Sequence, residues 1–302
     1  MKQTFYSNGK LLITSEYLVL DGAVALALPT KFGQDLVMDD GLNNEITWTS
    51  YDADKSCWFD AIFTFDEIKN KLLGNNTIKN TLIEILHEGF LLNPNFITNS
   101  QGYKVTTNLT FPRNWGLGTS STLINNIAQW LQIDAFQLLQ NSFGGSGYDI
   151  ACSQNDTAIL YQLQSGKQVI KQVHFNPSFK ENIYFVYLNQ KQNSRIAIEN
   201  YRAKKSDLVD QISEITTLTK NICFATNLKS FQTQLEKHET IVSEILEIKT
   251  VKEMLFSDFN RTVKSLGAWG GDFVMVVSNE NPKGYFKSKG FEVVLSFEEM
   301  IL

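Results

Sequence analysis

The stretch FPRNWGLGTSSTLINNIAQW, residues 111–130, places two glycines and three hydroxyl-bearing residues directly before an amphipathic run. A helix begins with about four backbone N–H groups that lack partners inside it, and its dipole places partial positive charge there. Glycines ahead of the helix let a loop close around a phosphate group because no Cβ intervenes. This segment alone is equally compatible with a phosphate-binding loop and with an ordinary helix cap.

Two common nucleotide-binding loops are excluded by the same segment and its surroundings. A Walker A loop requires GxxxxGK[ST], and the chain contains no such run. The dinucleotide-binding fingerprint requires a third glycine, and here that position is Ser121. A phosphate bound at this loop would therefore be held in another style.

Composition limits the class of partner. The chain has 302 residues, 43% of them hydrophobic and 20% charged, with a formal net charge of −5. These values predict a globular protein and argue against nucleic acid or a membrane as its main partner, while a small anionic ligand stays compatible with them. Three widely spaced cysteines and an N-terminus without an apolar core favour a cytoplasmic location. We expect a monomer or a homodimer.

The periodicity of apolar residues predicts an α+β protein. Short β-branched and aromatic runs in the first third predict strands, among them KQTFYS, GKLLITSEY, AVALALPT and DLVMDD. Helical spacing dominates from Ser194 to about Ser265, and strands close the chain. These patterns predict two domains, residues 1–170 and 171–302.

Three further glycine-containing segments share the character of the quoted stretch. Lys10 follows Gly9 and precedes an apolar strand, Asp149 follows three glycines in FGGSGYDIA, and GAWGGD precedes the strand DFVMVV. Each segment taken alone has an ordinary interpretation as a turn, a capping carboxylate or a solvated lysine. Their order along the chain is more informative than any one of them.

In that order the segments resemble the motifs of the GHMP kinase superfamily, which includes galactokinase, homoserine kinase, mevalonate kinase and phosphomevalonate kinase. SNGKLLITSEYLVL is similar to the first motif, PRNWGLGTSST to the second and GAWGGD to the third, while GSGYDIA resembles the segment of the catalytic aspartate. The match runs from residue 5 to about residue 277. It implies an N-terminal ribosomal-protein-S5-like domain that binds ATP, a C-terminal ferredoxin-like α+β domain, and an active site in the cleft between them.

Details of the motifs are most similar to the mevalonate-pathway branch, in particular phosphomevalonate kinase. Glu16 and Tyr17 resemble that branch's EYAVL, and GSGYDIA resembles its GSGxDVA. The chain departs from the family where Asn8 replaces a proline and Trp269 replaces a glycine of the third motif. These departures affect the acceptor pocket more than the nucleotide site.

The resemblance implies a role for each matched position. Lys10 and Asp149 would be catalytic, with Lys10 keeping Asp149 ionised, and Ser120 would help to hold Mg²⁺. The nucleotide phosphates of ATP would lie on the second motif, formed by Pro112, Gly116, Leu117, Gly118, Thr119, Ser120 and Ser121. The acceptor would contact residues of all the segments, namely Lys10, Glu16, Tyr17, Ser146, Ser194, Arg195, Gly267, Ala268, Gly270 and Gly271.

The implied function is ATP-dependent phosphorylation of a mevalonate-type acceptor, either phosphomevalonate or mevalonate, in isoprenoid precursor synthesis. Two alternatives stay open at this stage. One is a non-catalytic ligand-binding protein with the same fold, and the other is a kinase of this superfamily that acts on another small acceptor. The joint presence of Lys10, Ser120 and Asp149 favours an enzyme.

Overall fold

The computed structural model describes residues 2–191, 194–203 and 208–302, without the side chains of Ser194 and Arg195. The chain forms two compact units, each assembled from separate stretches of sequence. The first unit contains the N-terminal residues up to Gly9, Phe32–Arg113 and Leu117–Gln154. The second contains Lys10–Lys31, Asn114–Gly116 and the described residues from Asn155 onward. The sequence predicted two domains with other bounds, 1–170 and 171–302, and these bounds stay a prediction.

Strands and helices alternate irregularly along the chain, as expected for α+β proteins. The strands are β1 Gln3–Leu12, β2 Ala25–Asp40, β3 Glu45–Tyr51, β4 Cys57–Thr64, β5 Gly102–Leu109, β6 Ile159–Gln164, β7 Lys167–Gln172, β8 Ile183–Tyr187, β9 Thr262–Ser265, β10 Phe273–Val277 and β11 Val294–Ser296. The helices are α1 Phe65–Lys69, α2 Thr77–Leu92, α3 Asn95–Thr98, α4 Thr119–Leu131, α5 Ala135–Ser142, α6 Tyr148–Ser153, α7 Ser194–Ala203, α8 Val209–Cys223, α9 Leu228–Leu246, α10 Val251–Leu255, α11 Lys283–Ser288 and α12 Phe297–Met300.

The first unit packs helices on a mixed sheet. The later residues of β2 pair antiparallel with β5, β5 pairs parallel with β3, and β3 pairs antiparallel with β4. Strict alternation of buried and half-buried residues along β3 turns Ile46 and Trp48 inward. Their side chains belong to one apolar cluster with residues of α2, α4 and α5. This core fixes the position of α4, the helix that follows the glycine-rich second motif.

The second unit is built on an antiparallel sheet of four strands in the order β11-β8-β10-β9. β10 is buried along its whole length, which explains its uninterrupted apolar sequence FVMVV. The start of β2 also belongs to this unit and pairs with β6, which pairs in turn with β7. All six residues of β7 are exposed, and β7 is the last strand in the order of its sheet.

The structure joins strands that the sequence pattern predicted separately. KQTFYS and the first residues of GKLLITSEY form the single strand β1, and AVALALPT and DLVMDD form the single strand β2. β1 ends at Leu12, so the segment TSEY lies in a turn rather than in the predicted strand. β9, which the sequence pattern left inside the helical region, is a strand because its four residues are fully buried against β10.

Candidate functional site

The second motif forms a loop that leads directly into α4. Gly118 occupies the N-cap position with φ 97°, a left-handed conformation that favours glycine. Among the described residues, no side chain caps the first N–H groups of α4. Thr119 Oγ1 is buried and has no hydrogen-bond partner within the part of the chain that the structure describes, whereas Ser120 is exposed. A helix N-terminus without a side-chain cap, beside an unsatisfied hydroxyl, is suited to an anionic oxygen ligand.

A buried polar network fastens α4 to the sheet of the first unit. Thr122 Oγ1 donates to Gln34 Oε1 at 2.7 Å, and Asn126 Nδ2 donates to the Gln34 carbonyl at 2.9 Å. Ser7 Oγ donates to Asn126 Oδ1 at 2.7 Å and accepts from Asn125 Nδ2 at 2.8 Å. Buried polar groups that are satisfied in this way hold an element in one orientation. The network therefore positions the N-terminus of α4.

The segment with the predicted catalytic aspartate forms the short helix α6. Gly147 is its N-cap with φ 85°, and the half-buried Asp149 lies in its first turn. Asp149 Oδ1 accepts from the backbone N–H of Ile150 at 3.1 Å, and Ser153 Oγ donates to the carbonyl of Asp149 at 2.8 Å. Ser146, just before this helix, is 7% exposed. The aspartate is thus held by its own helix, with its side chain only partly covered.

The second unit brings together residues of the first, second and third motifs. Lys10 Nζ lies 3.5 Å from the carbonyl oxygen of Gly116. The side chain of Asp272 packs directly on Gly116, since a Cβ built there would lie 2.2 Å from Asp272 Cγ. Gly116 has φ 71° as well, so both space and backbone conformation require glycine. An ammonium group and a carboxylate therefore meet at one glycine of the predicted phosphate loop.

The third motif forms a tight loop before β10. Gly267 and Gly270 have positive φ, and so do Trp269 at 47° and Asp272 at 53°. The backbone of Asp272 pairs on both sides, because its N–H donates to Gln190 O at 2.7 Å and its carbonyl accepts from Leu188 N–H at 2.8 Å. These two bonds fix the direction of the Asp272 side chain. Ala268 and Gly271 lie in the same loop.

Glu16 and Tyr17 lie in the turn after β1, and both are buried. Glu16 Oε1 accepts from Lys264 Nζ at 2.5 Å, and both side chains have 0% exposure. Burial raises the pKa of Glu16 to about 7, although the Lys264 ammonium opposes this shift. Tyr17 packs in an apolar cluster that also contains Tyr201 and Trp269.

The surroundings of Glu16 contain three residues that were not predicted from the sequence, Lys264, His238 and Glu239. They lie in a short strand and an amphipathic helix without any motif. The sequence carried no signal for Lys264, because the strand TVKS that buries it was predicted as part of the helical region.

The remaining predicted positions are placed as follows. Pro112 and Leu117 lie in the loop before α4, with Leu117 fully buried, and Ser121 Oγ donates to the Gly118 carbonyl at 2.9 Å. Ser194 and Arg195 begin α7, but their side chains lie outside the described part of the structure. Within the second unit Lys10, Gly116 and the third motif come together, while Ser120, Ser146 and Asp149 belong to the first unit.

A ready-made metal cage is not present within the described residues, where no three His, Cys, Asp or Glu side chains form a cluster. This finding is neutral for Mg²⁺, which is usually bound by one or two carboxylates together with substrate phosphates. Across the described residues, no helix is long and apolar enough to cross a membrane.

Comparison with known proteins shows the fold. No protein-family model and no curated protein sequence matches the chain. Among solved structures, the phosphomevalonate kinase of Streptococcus pneumoniae in complex with phosphomevalonate and AMPPNP has a TM-score of 0.71 and 15% identity, covering 97% of this chain and 99% of that one. The mevalonate kinase of Methanococcus jannaschii has a TM-score of 0.69 and 16% identity over 97% and 96% of the two chains. The galactokinase of Lactococcus lactis complexed with galactose has a TM-score of 0.66 and 11% identity over 95% and 88%.

At these identities the likeness establishes the fold, which is the α+β fold shared by mevalonate kinase, phosphomevalonate kinase and galactokinase. The α+β GHMP kinase fold expected from the four motifs is thereby confirmed.

Proposed function

We propose that the chain is an ATP-dependent small-molecule kinase that transfers the γ-phosphoryl group to a mevalonate-type acceptor. The observation that carries this proposal is the meeting of three distant motifs at Gly116, where the Lys10 ammonium and the Asp272 carboxylate both approach the predicted phosphate loop. Residues so far apart in sequence have no local reason to converge. The shared fold supports the same conclusion, because the likeness to the S. pneumoniae phosphomevalonate kinase covers 97% of this chain.

Phosphoryl transfer depends mainly on positioning and on neutralising charge. In the proposed reaction the uncapped N-terminus of α4 and the hydroxyl groups of Thr119 and Ser120 bind the phosphates of ATP. Bound Mg²⁺ would neutralise phosphate charge, with Ser120 as one of its ligands. Lys10 stabilises the charge that develops on the transferred group, and Asp149 orients the acceptor's hydroxyl or phosphate.

Mevalonate and phosphomevalonate are both proposed acceptors. Each is anionic, and the predicted acceptor residues include the cations Lys10 and Arg195. The solved complex of S. pneumoniae phosphomevalonate kinase with phosphomevalonate has this fold, and so has a solved mevalonate kinase. The protein itself would act in isoprenoid precursor synthesis in the cytoplasm, as a monomer or a homodimer.

The proposal is tested by ADP release with ATP and Mg²⁺ against mevalonate, phosphomevalonate, homoserine, galactose and a blank without acceptor. We expect turnover with mevalonate or phosphomevalonate and none with the blank. Turnover with homoserine or galactose alone would overturn the acceptor class but keep the kinase. If no acceptor supports turnover while ATP binds, the kinase acts on another small acceptor, whereas the absence of both turnover and ATP binding would indicate a non-catalytic member of the fold.

Asp149→Asn is the matched test of the catalytic assignment. We expect kcat to fall by about 100-fold or more, because the carboxylate that orients the acceptor is lost while the helix it belongs to is kept. Asp60→Asn, at an exposed position on β4, serves as the control and should retain wild-type activity. An Asp149→Asn variant with near-full activity would show that Asp149 is not the catalytic carboxylate.

A further inference from the structure

Four ionisable side chains, each at most 6% exposed, form a buried group around Glu16 of the first motif, here called the Lys264 cluster: Glu16, His238, Glu239 and Lys264. Lys264 Nζ donates to Glu16 Oε1 at 2.5 Å and to the Ser265 carbonyl at 2.9 Å, and it lies 3.6 Å from Glu239 Oε2. The exposed fraction is 0% for the side chains of Lys264 and Glu16 and 6% for that of Glu239. The carboxylate of Glu16 is therefore committed to a partner inside the second unit.

The cluster contains one cation and two carboxyl groups. His238 is neutral because its Nε2 accepts from the backbone N–H of Ser15 at 2.8 Å, which places the ring proton on Nδ1. Burial lowers the pKa of His238 and raises the pKa of both Glu16 and Glu239. Removing Lys264 would thus leave two carboxyl groups in the interior without a counter-ion.

The cluster holds a turn that is unfavourable on its own. Ser15 and Tyr17, on either side of Glu16, have φ of 67° and 64°, a region that non-glycine residues occupy at a cost. Ser15 is tied by its N–H to His238 and by its hydroxyl to the Val24 carbonyl at 2.6 Å. Together with the Glu16–Lys264 pair, these bonds hold two successive residues of the turn, Ser15 and Glu16.

The turn places the side chain of Tyr17 in a buried cluster with other aromatic residues. The rings of Tyr17 and Tyr201 lie 5.5 Å apart between centroids, and both belong to the same buried cluster as Trp269 of the third motif. Tyr201 donates its hydroxyl hydrogen to Asp21. Trp269 Nε1 is buried and has no hydrogen-bond partner among the described residues.

We infer that Glu16 acts on the acceptor site as a positioning residue, together with Lys264, and does not itself contact the acceptor. The pair fixes the Ser15–Tyr17 turn, and the turn places the Tyr17 ring in one cluster with Tyr201 and Trp269, where the first and third motifs, both predicted to contact the acceptor, come together. This inference rests on the proposed kinase function. It replaces the expected substrate contact of Glu16 by an indirect role and adds Lys264, which no motif indicated.

The inference is tested with Glu16→Gln, Lys264→Met and the double variant, in steady-state kinetics with whichever of mevalonate and phosphomevalonate the wild type phosphorylates. We expect Lys264→Met and the double variant to raise the KM for the acceptor about tenfold, equivalent to about 1.4 kcal/mol, and to leave the KM for ATP unchanged. The double variant should be no worse than Lys264→Met, because the two side chains act as one unit. The double variant can also be measured if Lys264→Met alone fails to fold, because it removes one of the two carboxyl groups that would lack a counter-ion.

Lys237→Met is the control. Lys237 lies on the same helix as His238, α9, and forms an exposed ion pair with Glu214 of α8. This variant should behave as the wild type. The inference is wrong if removing Lys264 leaves the acceptor KM unchanged. If, in addition, Glu16→Gln alone raises this KM as much as the double variant does, Glu16 contacts the acceptor directly. A wild-type protein that phosphorylates none of the acceptors overturns the proposed function instead, so the two failures are distinct.

Discussion

Gly116 shows how a single residue ties a motif to its surroundings. Its φ of 71° and the Asp272 carboxylate packed on its α-carbon are separate requirements, one of backbone conformation and one of space. Gly144, in the segment of the predicted catalytic aspartate, has nearly the same φ, 69°, but a Cβ there would meet no atom within 4 Å. Substitutions at the two glycines can therefore separate the cost of an unfavourable backbone conformation from the cost of a steric clash.

Gly116→Ala should destabilise the protein more than Gly144→Ala. Both variants carry the left-handed backbone penalty of about 1 kcal/mol. Gly116→Ala also forces the Asp272 side chain to move, and such overpacking adds about 1–3 kcal/mol. Urea unfolding of the two variants beside the wild type measures the difference. Equal losses would mean that Asp272 swings away freely and does not depend on Gly116.

At the scale of the element, α4 depends on buried amide side chains rather than on a cap. Asn126 has 0% exposure and links Ser7 on β1 with the backbone of β2 at Gln34. Asparagine has a low helix propensity, so it is unfavourable in the middle of a helix. Their place in the sequence is explained by the partners that they satisfy on the sheet.

Asn126→Ala should lower the free energy of unfolding by about 1–3 kcal/mol for each partner left unsatisfied. Gln140→Ala, at an exposed position on α5, is the control and should stay close to the wild type. The same urea titration measures both. A silent Asn126→Ala would indicate that water replaces the amide and that the network does not position α4.

At the scale of the whole molecule, the Lys264 cluster should make stability depend on pH. Burial raises the pKa of Glu16 from 4.5 to about 7, so the folded state binds a proton more tightly than the unfolded chain does. The stabilisation is then present in full below pH 4.5 and is lost as the pH rises through about 7. Lys264, Glu239 and His238 are the other titratable groups that face Glu16.

Glu16→Gln should remove this contribution. We expect the wild type to lose about 3 kcal/mol relative to Glu16→Gln between pH 4.5 and about 7, at about 1.4 kcal/mol per pKa unit. Urea unfolding of both proteins across this pH range measures the difference. Parallel curves for the two proteins would show that the Glu16 carboxyl titrates in its ordinary range.

The glycine-rich motifs could be predicted because their physical requirements are local. A positive φ at Gly118 or Gly147 is a property of one residue and its neighbours, and it leaves a trace in the sequence. The Lys264 cluster could not be predicted in this way, because Glu16, His238 and Lys264 come from three distant segments and meet only after folding. The joined strands β1 and β2 were missed for a similar reason, since pairing across the sheet overrides the local signal of Gly9 and Gly33.

The exposed strand β7 governs how the protein behaves when it is concentrated. A strand at the margin of a sheet can recruit the same strand of another molecule, and Val169 and Ile170 would favour such stacking. Lys167 and Lys171 lie on either side of this apolar pair. Two molecules that approached margin to margin would bring four ammonium groups together, so their mutual repulsion keeps the protein dispersed as long as the salt concentration is low.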